Sequence, residues 1–204
     1  MRRLRNFLLI IFFSSQLLTG CVPAALVVGA AAGGAAVYDR RTIKEAYIDR
    51  QITRRCLFAI RNTQELKGKS HISVATENRI VLLVGQVQTP ELKQLAEQAV
   101  STVPNVKRVY NEIKIAGANS LMERSNDTWI TTKVKTALLR ERNLKSSEIK
   151  VVTEDGTAYL MGRVSRDQAD LATRVARRVG GVKMVVKVFE YTTPPAVAVD
   201  ETQG

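Results

Sequence analysis

Past Arg40 the apolar residues of the chain fall into two recurring patterns. Ile48, Ile52, Cys56, Ala59 and Ile60 recur at helical spacing, and so do Ile130, Val134, Ala137 and Leu138. Such stripes predict two amphipathic helices, each with one face turned to a core. Two alternating strands follow each helix, joined by tight turns at Glu77-Asn78 and Asp155-Gly156, the latter a strong hairpin signal. A second helix begins at Thr89-Pro90, where proline takes the first helical position. Its counterpart begins at Ser165, with Gln168 three residues on as a capping box. β-Branched runs over residues 106–115 and 183–191 close the two units as strands. Each unit therefore reads α-β-β-α-β.

The two units are copies of one another, with a period of 76–78 residues. Ile72-Ser73-Val74 corresponds to Ile149-Lys150-Val151. Leu82-Leu83-Val84-Gly85-Gln86-Val87 corresponds to Tyr159-Leu160-Met161-Gly162-Arg163-Val164, and Val103-Pro104-Asn105-Val106 to Val179-Gly180-Gly181-Val182. Two copies of this length make tandem domains of about 70 residues and not a solenoid. Gly85 and Gly162, matched by the repeat, lie where a strand ends in a turn. They read as structural glycines, needed for positive φ or close packing.

The N-terminus has a different character. Arg2, Arg3 and Arg5 precede an apolar run from Phe7 to Phe13, and Leu18-Thr19-Gly20 leads into Cys21. Residues 1–20 read as a secretory signal whose apolar stretch is too short to span a bilayer. The Leu-Thr-Gly-Cys ending resembles a bacterial lipobox, at which the signal is cut and Cys21 receives covalent lipid. Acyl chains, at about 0.8 kcal/mol per buried methylene, then anchor the chain without a spanning helix. Residues 21–45, rich in Ala, Val and Gly, read as the lipidated cysteine and a flexible tether.

The 204 residues carry a formal charge of +12, falling to +9 when the three signal arginines are lost. That balance favours an anionic partner, either nucleic acid or an acidic membrane surface. A lipid-anchored, extracytoplasmic chain leaves the membrane, and nucleic acid is not expected as a partner. One His and two Cys exclude a multi-ligand metal site and a disulfide framework. No nucleophile–His–carboxylate order or phosphate-binding loop is present, and Glu154-Asp155 belongs to a hairpin turn. No catalytic residue, metal or cofactor is expected beyond the lipid on Cys21, and the chain reads as a non-enzyme. Cys56, on its apolar stripe, reads as a buried small hydrophobe.

The repeated strand ending in Gly-x-Val, the run Asn126-Asp127-Thr128-Trp129-Ile130-Thr131-Thr132-Lys133-Val134, and Val109-Tyr110-Asn111-Glu112-Ile113 resemble tandem BON domains. With the lipobox they are similar to the dual-BON outer-membrane lipoproteins of Gram-negative bacteria, a family associated with division, outer-membrane stress and lipid binding. The resemblance implies an α+β fold of two BON domains, each with two helices packed on a three-stranded mixed sheet. It divides the chain into BON domain 1 at residues 46–115, a linker at 116–124, BON domain 2 at 125–191 and a flexible tail at 192–204. It implies binding of anionic phospholipids (phosphatidylglycerol, cardiolipin) through the first helix of the second domain, and support of envelope integrity and cell division. By family precedent Val22 after Cys21 favours the outer membrane, and the resemblance implies a periplasmic orientation with enrichment at the division site. Outer-membrane protein assembly machinery and regulators of cell-wall amidases are the protein partners it suggests.

The residues support that helix independently. Aligning Ile52 with Ile130 sets Gln51 against Trp129 and Arg61 against Leu139, so these are not obligatory core positions. At 100° per residue, Trp129, Thr132, Lys133, Thr136, Leu139 and Arg140 fall away from the core stripe. Exposed Trp and Leu among hydroxyls and bases is the composition of a membrane-interface helix. Two alternatives stand beside it: Trp129 packs against the other domain, or the basic surface serves a protein-binding adaptor. The first domain lacks the Trp/Leu pair and is expected to bind lipid weakly.

Overall fold

A computed structural model describes residues 40–117 and 121–192. The signal, Cys21, the tether up to residue 39 and the tail from residue 193 lie outside the described residues. The first domain runs α1 (Arg40–Asn62), a 3-10 turn (Gln64–Leu66), β1 (Ser70–Glu77), β2 (Ile80–Val87), α2 (Pro90–Ser101), β3 (Arg108–Asn111) and β4 (Lys114–Ile115). The second runs α3 (Leu121–Arg140), a 3-10 turn (Ser146–Glu148), β5 (Ile149–Glu154), β6 (Thr157–Val164), α4 (Arg166–Arg177) and β7 (Met184–Tyr191). β1 lies antiparallel to β2, and β3 and β4 run parallel to β2 one after the other. β5 is antiparallel and β7 parallel to β6. Both sheets are mixed and each carries two helices, the expected α+β arrangement.

Several local details differ from the sequence reading. α1 starts at Arg40 and α3 at Leu121, inside the stretches read as tether and linker. The first turns of α1 are mostly polar, so a hydrophobic stripe could not announce them. The last strand of the first domain is broken at Glu112-Ile113, where Ile113 turns into the core. Asn111 holds the break by donating from Nδ2 to the Lys93 carbonyl at 3.0 Å. The first hairpin turns at Asn78-Arg79, one residue later than read, with φ of 52° and 66°. Asp155-Gly156 has φ of 49° and 71°, the left-handed pair that a two-residue hairpin requires. Ser165 caps α4 by accepting from the Gln168 N–H, but the capping box is only half formed. The Gln168 side chain instead accepts from Lys145 N at 2.8 Å and donates to Asn143 O at 2.7 Å, pinning the loop after α3.

Gly85 and Gly162 sit inside β2 and β6 and not at a strand end. Their φ values are +120° and +148°, and a Cβ would lie 2.0 Å from the His71 carbonyl oxygen and 2.1 Å from that of Glu148. Only glycine lets the neighbouring strand approach this closely.

The strands do not alternate between core and solvent, because both sheet faces are covered. Every residue of β2 is buried. Val81, Leu83 and Val87 meet α1 and α2, whereas Ile80, Leu82 and Val84 meet Tyr159, Met161 and Val188 of the other domain. The result is four layers: helices, sheet, sheet, helices. Leu82 is the repeat partner of Tyr159 and Val84 of Met161, so the domains meet through the same face, as in an isologous dimer. Polar contacts rim this layer: Lys150 Nζ donates to the Thr76 carbonyl at 2.7 Å and Lys114 pairs with Asp155 at 2.8 Å.

Candidate functional site

The rotation of α3 is fixed by three kinds of contact. Ile130, Val134 and Leu138 are buried against β5, β6 and α4. Asp127, also buried, accepts from the backbone N–H groups of Asp155 and Gly156, both at 2.8 Å. Thr131 donates to the Thr153 hydroxyl at 2.8 Å. The first domain repeats the device, with Asp49 accepting from Asn78 N and Arg79 N, and Thr53 bonded to Thr76. A carboxylate receiving two N–H bonds orders the hairpin turn and ties it to the body of the helix. Sequence periodicity passed over these aspartates, although the repeat alignment places Asp49 opposite Asp127.

With that rotation set, Trp129 is 62% and Leu139 71% exposed, and neither joins the layer between the domains. The alternative in which Trp129 packs on the other domain is therefore overturned. Thr132, Thr136 and Arg140 are exposed beside them. The Thr132 hydroxyl donates to the Thr128 carbonyl at 3.0 Å and that of Thr136 to the Thr132 carbonyl at 2.9 Å, so both are satisfied within the helix. Arg140, in the last turn, has no hydrogen bond or ion pair among the described residues. Lys133 stands apart from the others. It is half-buried, its ammonium donates to the Gly180 carbonyl, and it lies over the Trp129 ring 5.9 Å from the centroid. It ties the indole to the turn before β7 and is less available to an external anion than Arg140.

The thiol of Cys56 is buried and pushed up to about 11 by desolvation, which keeps it protonated and inert. Lys114 and Lys183 hold the Asp155 carboxyl below the usual aspartate range. Among the described residues no cluster of His, Cys, Asp and Glu is placed to hold a metal ion, and no helix is long and apolar enough to cross a membrane.

Comparison with known proteins agrees with this architecture. The chain is 32% identical over 184 residues to "Outer membrane lipoprotein DolP" of Haemophilus influenzae, covering 90% of this chain and 95% of that one. It is 35% identical over 153 residues to a "21 kDa hemolysin" of Actinobacillus pleuropneumoniae, covering 75% and 79% of the two chains. It is 31% identical over 140 residues to "Osmotically-inducible protein Y" of Escherichia coli, covering 67% and 69%. A family model, that of the BON domain, matches residues 48–117 and 126–193, the two halves of the sandwich. The chain belongs to the BON domain family and carries two copies of that domain.

Proposed function

We propose that this protein is a non-enzymatic outer-membrane lipoprotein, anchored through lipid on Cys21 and facing the periplasm, that binds anionic phospholipid through the outer face of α3. The carrying observation is the exposure of Trp129 and Leu139 on a helix whose rotation the buried Asp127, Ile130, Val134 and Leu138 fix. An indole and an isobutyl group on one face enter the headgroup and acyl boundary, and Arg140 meets phosphate. Each basic group near an anionic surface contributes about 1 kcal/mol. Similarity to a protein named as an outer membrane lipoprotein supports the compartment and a role in envelope integrity. Action at the division site, and contact with outer-membrane assembly machinery or amidase regulators, belong to the same proposal.

The test is flotation of the chain from Val22 onward, without lipid on Cys21, with phosphatidylcholine vesicles containing phosphatidylglycerol or cardiolipin. Binding that rises with the anionic fraction supports the reading. Binding indifferent to it overturns the reading in favour of a protein-docking adaptor.

A further inference from the structure

The outer face of α1 carries a second apolar and basic stripe. Ile52, Cys56 and Ile60 fix the inward side of this helix. At 100° per residue Ile43, Tyr47, Arg54, Phe58 and Arg61 gather on the opposite side. The three large apolar groups are exposed by 53%, 59% and 69% in chain order. The repeat alignment hid them, because it sets Tyr47 against Ser125 and Phe58 against Thr136. The first domain lacks an interface pair at positions 51 and 61, where Gln and Arg stand, but carries apolar groups elsewhere on the helix.

The charge that the helix itself presents outward is of one sign, although Glu77 and Glu148 line the groove that flanks Arg50 and Arg54. Arg50, Arg54, Arg55 and Arg61 are exposed, and none has a hydrogen bond or ion pair among the described residues. Both acidic residues of the helix are engaged elsewhere: Glu45 pairs with Arg79 at 3.1 Å, and Asp49 holds the Asn78-Arg79 turn. We propose that this face is a second binding surface for an anionic bilayer, independent of α3. Tyr47 is suited to the headgroup level, Phe58 and Ile43 to the acyl boundary, and the guanidinium groups to phosphate. The same charge argues against a second copy as occupant. Two such faces would bring both sets of four arginines together with no carboxylate from the outward side of either helix between them.

α1 and α3 lie in the two outer layers of the sandwich, with both sheets between them. One flat bilayer cannot cover both faces, so a molecule using both holds two lipid surfaces at once. The chain from Val22 onward is therefore expected to cluster phosphatidylglycerol-containing vesicles, read as a rise in light scattering. Phe58→Glu and Trp129→Glu are each expected to stop clustering yet still float, with affinity lowered about tenfold. The double variant is expected not to float. Thermal melts check the fold, and Tyr47→Glu repeats the test should Phe58→Glu be unstable. Wild-type clustering by Phe58→Glu overturns the proposal. So does complete loss of flotation in Trp129→Glu, or a shift from dimer to monomer in Phe58→Glu at unchanged vesicle affinity, which assigns the face to self-association. Full flotation of Trp129→Glu with none of Phe58→Glu sinks the reading of α3 and leaves this one standing.

Discussion

Gln86 Nε2 donates to Glu154 Oε1 at 2.7 Å across the layer between the domains, and both residues are buried. The pair joins the end of β2 to the end of β5 beside the apolar layer. Truncating one member leaves the other group desolvated. Gln86→Ala is expected to lower stability by about 1–3 kcal/mol, measured by urea unfolding. An unfolding free energy within error of wild type would mean that water replaces the amide at no cost.

The lipid-facing reading of α3 separates two sets of substitutions on one helix. Trp129→Glu and Leu139→Glu are expected to weaken vesicle binding about tenfold and to melt with the wild type, since neither opens a cavity. Val134→Glu and Leu138→Glu bury an unpaired charge and are expected to unfold the domain, a cost of several kcal/mol. Thermal unfolding beside vesicle flotation reads both properties. Trp129→Glu melting as early as Val134→Glu would make the indole a core group.

The two strand glycines offer a matched pair. An alanine at position 85 or 162 places its Cβ about 2 Å from a carbonyl oxygen and requires a φ that L-residues rarely adopt. Both Gly85→Ala and Gly162→Ala are expected to lose more than about 3 kcal/mol, seen as an early melt or loss of soluble protein. Equal stability of either variant with wild type would contradict the close approach.

Acid should loosen the second hairpin. Hydrogen bonds from Lys114 and Lys183 depress the Asp155 pKa below its ordinary value of 3.8. A depressed carboxyl contributes stability above the unfolded pKa and loses it as pH falls through the folded one. Burial, only partly offset by Lys150, raises the pKa of Glu77, whose contribution has the opposite sign and fades as pH rises through the folded value. In unfolding midpoints measured below pH 4, Asp155→Asn is expected to show a flatter decline than wild type. An unchanged slope would mean that the two lysines do not hold the carboxylate in solution.

Helical stripes and the repeat made both domains legible, because an amphipathic helix and a Gly-x-Val strand end are written in local spacing. The lipid-facing positions of α3 followed from asking which apolar residues the repeat does not require. That comparison has a blind side. Tyr47 and Phe58 face polar counterparts in the other copy, so a residue apolar in the first domain alone was seen only once burial was known. Asp49 and Asp127 escaped for a different reason, since a carboxylate inside an apolar stripe is explained only by the turn it holds. The sheet-on-sheet contact was foreshadowed by Ile80-Val81-Leu82-Leu83-Val84, which is apolar at every position. A strand covered on both faces reads this way.

The shared layer between the sheets bears on how the gene can be cut. Leu82, Val84, Tyr159 and Met161 are interior only while both halves are present. A truncation ending at the linker would bare a strip of strand-borne apolar surface, the kind that drives aggregation. The two copies are thus not beads that can be added or dropped singly. Each half is the lid of the other, and loss of one bares the interior face of the half that remains.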